Sequence, residues 1–226
     1  MTIRDAASQF QNGAPASRCR FCGAALTQSF VDLGSAPLCQ KHISPARARE
    51  AEAFYPLHAL VCSACYLVQL DEFVAPAEIF GSGEYAYFAS FSDSWLVHAR
   101  AFVARMSAQL ALGPSSLVVE IASNDGYLLQ SFVQLGVPVL GIEPASNCAA
   151  AAREKGVETR VCFFGLQTAR TLVREGLRPD LLIANNVLAH VSDLQDFVAG
   201  LSLLLGETGV LTLEFPHLVR LIAENQ

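Results

Sequence analysis

The hydrophobic pattern of the chain changes near residue 113. Beyond this point, short and almost wholly apolar runs alternate with amphipathic stretches, which is typical of a parallel sheet covered by helices on both faces. The predicted strands are residues 117–121, 137–142, 157–161, 181–184 and 210–215. The predicted helices are residues 127–135, 144–156, 165–175 and 192–205, with a further helix after Pro216. Short connections between alternating strands and helices predict an α/β fold with a Rossmann-like parallel sheet.

The part before residue 113 has a different organisation. Residues 1–17 are small and polar and are predicted to be a flexible tail, and residues 18–72 are rich in Cys, Pro and Gly. A segment with so little periodicity buries little apolar surface and needs a metal or disulfide staple. Residues 73–112 are predicted to be an aromatic connector and a helix that begins near Ser92 or Asp93. Gly113-Pro114 then separates this helix from the sheet domain, residues 113–226.

The helix that contains residues 192–205 is predicted from its start and stop signals. Ser192 and Gln195 have the spacing of a capping box, and Gly206 follows the last apolar position. Pro144 is similarly placed as the first residue of an earlier helix.

Composition and charge exclude several classes of protein. The 226 residues carry a formal net charge of −6, and only 16% are charged. A general affinity for nucleic acid, which requires clustered Lys and Arg, is therefore not expected. The chain has neither an apolar stretch of membrane-spanning length nor a signal-peptide core. We therefore predict a cytoplasmic protein with reduced thiols.

Four of the seven cysteines form two close pairs, Cys19-x-x-Cys22 and Cys62-x-x-Cys65, with 39 residues between them. A two-residue gap lets one tight turn direct two thiolates at one ion, and two such turns complete a tetrahedron. The pattern favours a closed structural zinc site, with a redox pair or buried thiols as alternatives. Cys39 and His42 have a similar spacing but lack a partner pair, so we interpret them as a loop cysteine beside a surface histidine.

A nucleotide-binding edge is predicted where the first two strands of the sheet end. Glu120 lies near the end of the first strand, and in the turn that follows Ala122 and Asn124 stand where glycine is usual. Glu143 lies at the tip of the second strand, where a carboxylate accepts hydrogen bonds from the two hydroxyls of a ribose. This carboxylate fits either NAD or S-adenosylmethionine. The glycine-poor turn favours S-adenosylmethionine, because NAD requires close approach of the backbone to a pyrophosphate.

Polar and aromatic residues follow two further strands. Asn185 and Asn186 end the fourth strand and are predicted to contact a cofactor or substrate, although an Asx turn explains one of them equally well. Phe164 follows the third strand, where an apolar ring commonly flanks an adenine, but most such rings are core residues. His190 is either a core histidine or a site residue.

Several motifs together resemble the sugar C-methyltransferases, which act on nucleotide-linked 4-keto deoxysugars. The motifs are CRFCG, VDLGSAPL, CSACYLVQL, EYAYFASFS, VVEIASNDGYLL, LGIEPASN, FFG, ANNVLAHV and LEFPHL, and they occur in order from Arg18 to the end of the chain. The resemblance implies a class I methyltransferase core preceded by a zinc-binding module. It also implies that Cys19, Cys22, Cys62 and Cys65 bind zinc, and that a connector containing Tyr85, Tyr87 and Ser90 closes over the active site.

The resemblance also defines the expected cofactor-binding set. These residues are Tyr85, Ala122, Ser123, Asn124, Asp125, Gly126, Glu143, Asn147, Phe164, Asn185 and Asn186. The expected cofactors are S-adenosylmethionine and Zn²⁺, and the expected partner is a nucleotide-linked sugar.

The chain departs from the family pattern at its end. In the family a Tyr-His-Glu-His stretch that carries the candidate base, and then a second Rossmann-like domain, follow LEFPHL, whereas this sequence ends at Gln226. We therefore expect this chain to be the front part of such an enzyme. His217 and His190 are the weak candidates for a base within it. A non-catalytic, zinc-stapled cofactor-binding module and an NAD-dependent sugar-modifying enzyme are the alternatives.

Overall fold

The computed structural model describes residues 17–81 and 83–225. The predicted tail therefore lies outside the described residues, except for Ser17. The chain divides into two compact units. The first, called here the cysteine unit, contains residues 17–36 and 54–73, and the second, called the sheet unit, contains residues 37–53 and 74–225 without Ser82.

The cysteine unit is built on three strands. They are β1 (Gln28–Pro37), β2 (Phe54–Val61) and β3 (Val68–Leu70). The strands lie in the order β1-β2-β3, and β2 pairs antiparallel with β3. The buried apolar residues of this unit are Cys19, Leu26 and Cys62. Such a small core provides little hydrophobic stabilisation, so the unit depends on another source of stability.

The sheet unit contains five parallel strands in the order β6-β5-β4-β7-β8. They are β4 (Val118–Ile121), β5 (Val139–Ile142), β6 (Thr159–Arg160), β7 (Leu181–Asn185) and β8 (Val210–Glu214). Every residue of the central strand β4 is buried, because helices cover both faces of the sheet. The predicted α/β class with a Rossmann-like parallel sheet is thus confirmed.

The helices of the sheet unit are α1 (Pro76–Phe80), α2 (Asp93–Gln109), α3 (Leu129–Gln134), α4 (Ser146–Glu154), α5 (Leu166–Arg174), α6 (Leu194–Leu205) and α7 (Leu218–Ala223). Residues of α2, α3 and α4 form one apolar cluster against Val118, Leu181 and Ile183 of the sheet. Residues of α5 and α6 form the other, against Val119, Leu140 and Leu182. Val118 belongs to the first cluster and Val119 to the second, because successive side chains of a strand point to opposite faces of the sheet.

Two local predictions differ in their outcome. The start of α2 is confirmed, because the Ser92 side chain accepts a hydrogen bond from the backbone N–H of Trp95. The capping box at Ser192 and Gln195 is wrong. Asp193 caps α6 instead, since its carboxylate accepts the N–H of Asp196, one residue later than predicted. An aspartate is also favoured here by the positive end of the helix dipole.

The strand order predicts the edge of the sheet at which a ligand would bind. Chain connections run outward from β4 in both directions, so the order reverses between β4 and β7. Open α/β sheets bind ligands outside the carboxyl ends of the strands at such a switch point. The turn after β4 and the Asn185-Asn186 pair after β7 both lie at this edge. Among the described residues, no helix has the length and apolarity required to cross a membrane.

Candidate cofactor edge and metal centre

The four paired cysteines converge on one point in the cysteine unit. Their sulfur atoms all lie within 4.8 Å of one another. The Sγ atoms of Cys19 and Cys65 are 3.5 Å apart, as are those of Cys22 and Cys62. Four thiolates bound tetrahedrally to Zn²⁺ at about 2.3 Å have sulfurs roughly 3.8 Å apart, so the observed spacing fits this ion. Cys39 is exposed and lies outside the group.

Each cysteine pair lies on the same kind of turn. The backbone N–H of Gly23 donates to the carbonyl of Cys19, and that of Tyr66 donates to Cys62. Both residues have positive φ angles, 75° at Gly23 and 64° at Tyr66. Glycine adopts this conformation without steric cost, whereas Tyr66 does so under strain, which is consistent with a turn held by the thiols it positions.

Gln69 on β3 supports the metal site, although the sequence analysis did not identify it. Its side-chain Nε2 lies 3.2 Å from Cys19 Sγ, and its Oε1 accepts the backbone N–H of Arg20. Burial disfavours ionisation of the Cys19 thiol, but the Cys22 N–H and the Gln69 amide outweigh it and lower the pKa of Cys19 to about 6. The pKa of Cys62 is also lowered, whereas burial and the neighbouring thiols raise the pKa of Cys65 to about 12, so Cys19 and Cys62 are the thiols that favour the thiolate form.

At the cofactor edge, the turn after β4 adopts the conformation of a glycine-rich loop with few glycines. Ala122, Asn124 and Gly126 have φ angles of 57°, 50° and 74°. The sequence departs from the glycine pattern at Ala122 and Asn124. Because both residues nevertheless have positive φ angles, the backbone of the turn is the one that the glycine pattern predicts. Ser123 Oγ is buried and has no hydrogen-bond partner among the described residues. It packs against Gly141, where a Cβ atom would collide with it.

Glu143 joins the ends of the two neighbouring strands. One carboxylate oxygen accepts the backbone N–H of Asn124 at 2.9 Å, and the other accepts that of Ala145 at 2.8 Å. Burial raises the pKa of Glu143 more strongly than these two donors lower it, and the residue is only 4% exposed. Each oxygen retains a second lone pair, so the carboxylate can still accept a hydrogen bond from a ligand.

The connector before α2 is hydrogen-bonded to the predicted cofactor residues. Asn124 accepts the N–H of Ala89 and donates to the carbonyl of Tyr87. Asn147 donates to the carbonyl of Tyr85 at 2.7 Å. These contacts hold the connector against the turn after β4 and the start of α4, and its closure over a bound cofactor stays a prediction.

A charged group anchors the same connector. Asp125 accepts hydrogen bonds from Ser90 and from Lys155, whose Nζ lies 2.7 Å from the carboxylate. The Asp125 side chain is almost fully buried in this ion pair, while that of Lys155 is about a quarter exposed. Lys155 was not predicted from the sequence, because it lies 30 residues from Asp125 and outside any recognisable motif.

Several buried oxygens at this edge have no hydrogen-bond partner among the described residues. They are Glu120 Oε2, Ser123 Oγ, Asp125 Oδ1 and Asn147 Oδ1. Buried polar atoms are normally paired, so such a cluster is typical of a site that binds a polar ligand. The oxygens of Asp125 and Asn147 are acceptors, and they fit the amino and hydroxyl groups of S-adenosylmethionine.

The carboxyl ends of β7 and β8 carry a second polar group. Glu214, the last residue of β8, lies opposite Asn185 and accepts a hydrogen bond from Asn186 Nδ2 at 2.9 Å. Its other oxygen lies 3.0 Å from Nε2 of His98 on α2. The His98 ring stacks on Trp95, with 5.0 Å between ring centroids. Sequence reasoning identified Asn185 and Asn186 but missed His98 and Glu214, which are 116 residues apart.

The remaining predicted residues lie in different settings. The Phe164 ring packs edge-on against Phe197 in the core cluster next to α5 and α6. The Tyr85 ring packs against Phe80, and burial raises the pKa of Tyr85 to about 12. His190 is exposed in a single 3₁₀ turn, residues 188–190. His217 caps α7 by accepting the N–H of Arg220.

A pH-dependent effect on stability is expected at Glu120. Complete burial, followed by the charges of Glu143 and Asp125, raises the pKa of Glu120 well above its ordinary value. The folded chain therefore retains a proton that the unfolded chain releases above about pH 4.3. The stability linked to this proton is fully present below that pH and is lost as pH rises, by roughly 1.4 kcal/mol per unit until the folded-state pKa is reached.

The Glu120→Gln variant tests this expectation, because an uncharged amide removes the titration. Thermal unfolding between pH 5 and pH 8 should show a smaller loss of stability in the variant than in the parent chain. An identical pH dependence of the two proteins would show that Glu120 is ionised in the folded state.

The fold and these two sites define the class: a four-cysteine zinc-binding domain joined to a parallel five-stranded α/β domain of the methyltransferase type. Residues 19–80 match the model of the "Putative zinc binding domain" family. Over 213 residues, the chain is 34% identical to the C-methyltransferase NovU of Streptomyces niveus. This alignment covers 94% of this chain and 50% of that protein.

Two further comparisons match about half of this chain. The ubiquinone biosynthesis O-methyltransferase of Methylobacterium sp. (strain 4-46) is 31% identical over 113 residues, which cover 48% of this chain and 45% of that protein. An S-adenosylmethionine-dependent methyltransferase structure from Anabaena variabilis aligns with a TM-score of 0.45 at 17% identity, over 56% of this chain and 58% of that one. The chain spans about half the length of the curated relatives that it matches.

Proposed function

We propose that this chain is an S-adenosylmethionine-dependent C-methyltransferase, or the N-terminal portion of one. Its substrate is a nucleotide-linked keto-deoxysugar, which is methylated at a carbon next to the ketone. The observation that carries the proposal is the buried Glu143 carboxylate at the tip of β5, bonded to the strained turn after β4. The 34% identity to a C-methyltransferase over most of this chain supports the same assignment.

The residues at the sheet edge fit the parts of this cofactor. The Glu143 carboxylate suits two ribose hydroxyls, because both of its oxygens keep a free lone pair. The orphaned oxygens of Asn147 and Asp125 suit hydrogen-bond donors of the cofactor. The amides of Asn185 and Asn186 lie at the end of β7, next to the switch point, and this position supports a contact with the methionine portion or the sugar.

The reaction requires a nucleophilic carbon. A hydrogen beside a ketone is acidic enough to be removed by a positioned base, which leaves an enolate. The bound cofactor supplies an electrophilic methyl group on a sulfonium. The task of the protein is to align the enolate with that methyl group and to exclude water, for which the connector over the turn is well placed. The zinc site leaves no open coordination position, so it stabilises the fold and takes no part in the chemistry.

Isothermal titration calorimetry of the purified full chain tests the proposal. S-Adenosylhomocysteine should bind with a stoichiometry of one per chain, and NAD should not bind. Transfer of a labelled methyl group to dTDP-4-keto-6-deoxyglucose then tests the substrate class. Binding of NAD alone would contradict the cofactor assignment, whereas binding of S-adenosylhomocysteine without any methyl transfer would favour the non-catalytic module.

A further inference from the structure

Lys155 joins three segments of the sheet unit through one ammonium group. In the turn after β4, its Nζ lies 2.7 Å from Asp125 Oδ2 and 2.8 Å from the backbone carbonyl of Asp125. In the connector, the same Nζ lies 3.1 Å from Ser90 Oγ. The backbone of Lys155 ends α4, where its N–H donates to the carbonyl of Ala152. Because an ammonium has three N–H groups, each donor of Lys155 has an acceptor.

The ammonium suits this position better than a guanidinium would. The chain contains 13 arginines but only two lysines, Lys41 and Lys155. The donors of arginine lie in one plane, whereas those of lysine rotate about a single nitrogen and reach acceptors in different directions. The acceptors around Lys155 are a carboxylate, a carbonyl and a hydroxyl from two separate segments. The Asp125 side chain is only 1% exposed, and a buried carboxylate requires such a partner.

The residues that hold the connector also carry unpaired acceptors of the cofactor edge. Asp125 binds Ser90 and Lys155 through Oδ2, whereas its Oδ1 is buried and has no partner among the described residues. Asn147 is divided in the same way, because its Nδ2 donates to the carbonyl of Tyr85 while its Oδ1 is buried and unpaired within that part of the chain. The contact that fixes the connector therefore also determines which oxygen is left for a ligand.

The same network reaches the carboxylate proposed to bind the ribose. The Asn124 side chain accepts the N–H of Ala89 in the connector, and the Asn124 backbone donates its N–H to Glu143. Asn124 and Asp125 are consecutive, so the connector is attached to two neighbouring residues of the turn. Loss of either attachment would therefore disturb the turn to which Glu143 is bonded.

We propose that Lys155 is a positioning residue for cofactor binding, which acts through Asp125 and Ser90 without touching the cofactor. Its ammonium holds Asp125 Oδ2 together with the connector and leaves Oδ1 as the acceptor for a donor group of the cofactor. This inference rests on the proposed function, because it takes S-adenosylmethionine as the ligand of this edge. An ion pair with a purely structural role would stabilise the sheet unit without changing the affinity of the folded chain.

Calorimetric titration of the full chain with S-adenosylhomocysteine tests this role. Lys155→Met has a side chain of similar length without N–H donors, so it should weaken binding by about 10-fold or more, as expected for loss of a hydrogen bond to a charged group. Lys155→Arg retains the charge in a planar group and should recover part of the lost affinity. Lys41→Met is the matched control, because it makes the same change at an exposed position and should bind as the parent chain does.

Ser90→Ala tests the connector side of the network and leaves the ion pair in place. It should weaken binding by about 3-fold to 10-fold, the effect of one hydrogen bond. Hydrogen exchange of the Ala89 amide, which donates to Asn124, should become faster. Because Lys155 acts through this contact, the double variant Lys155→Met/Ser90→Ala should bind about as weakly as Lys155→Met alone.

The outcomes separate this inference from the cofactor proposal. Parent affinity in folded Lys155→Met, or additive losses in the double variant, would overturn the inference and leave the proposed function intact. If Lys155→Met does not fold, Ser90→Ala decides, and parent affinity with unchanged exchange in that variant would overturn the inference. Failure of the wild-type chain to bind S-adenosylhomocysteine would instead reject the proposed function itself.

Discussion

Replacing Cys62 and Cys65 together by serine is expected to release one zinc ion per chain and to unfold the cysteine unit. The apolar core of the described cysteine unit is too small to hold it folded without the metal, because its buried apolar residues are Cys19, Leu26 and Cys62. Structural zinc sites contribute about 10–16 kcal/mol of apparent binding free energy, which becomes folding free energy when no other core is present. Without the metal, the conformational entropy of the unit has little to oppose it.

Elemental analysis and hydrogen exchange measure the two parts of this result. The parent chain should contain about one zinc per chain, and the double variant close to none. Backbone amides of residues 54–73 should lose their protection in the variant. Cys39→Ser is the matched control, because Cys39 is an exposed thiol outside the four-sulfur group. Retention of the ion, or unchanged protection after its loss, would contradict a structural metal site.

The metal site could be predicted from the sequence because its ligands form two local turns. Each Cys-x-x-Cys pair determines its own geometry, so only the meeting of the two pairs had to be inferred. Gln69 could not be predicted in the same way. It reaches Cys19 from β3, at a separation of 50 residues, and nothing distinguishes it from any other glutamine in a strand.

At the cofactor edge, too, the sequence predicted some features and missed others. The alternation of apolar strands and amphipathic helices was sufficient to predict the parallel sheet, and parallel strands bring their carboxyl ends to one edge. Ala122 and Asn124 seemed to weaken the glycine-rich pattern, yet both adopt the positive φ angles that the turn requires. The sequence pattern predicted where the turn lies. It did not predict that residues other than glycine adopt the positive φ angles of this turn.

The contacts that complete the edge come from tertiary structure. Lys155 meets Asp125 because α4 packs on the same face of the sheet as α2 and α3, and His98 meets Glu214 because α2 packs beside the end of β8. Element boundaries shifted for a related reason. The third strand shortens from the predicted residues 157–161 to Thr159–Arg160, because β6 is an edge strand and pairs only with Gly141 and Ile142 of β5.

Substitution of Glu143 by glutamine is expected to weaken binding of S-adenosylhomocysteine by about 10-fold to 100-fold. Both carboxylate oxygens accept backbone N–H groups, from Asn124 and Ala145. A glutamine amide offers one acceptor and one donor group, so one buried N–H would face another donor, at a cost of about 1–3 kcal/mol. The same change removes one of the two acceptors proposed for the ribose hydroxyls, and each tenfold loss of affinity corresponds to about 1.4 kcal/mol.

Calorimetric titration of the folded variants distinguishes this effect from general destabilisation. Glu154→Gln is the matched control, because it makes the same chemical change at an exposed position of α4 and should leave affinity unchanged. Glu143→Asp retains the charge but shortens the side chain, so it should bind more weakly than the parent chain and more tightly than Glu143→Ala. If Glu143→Gln, folded by circular dichroism, bound S-adenosylhomocysteine as tightly as the parent chain does, the carboxylate would serve only to join β4 to β5, and the ribose would have to be held elsewhere on the sheet edge.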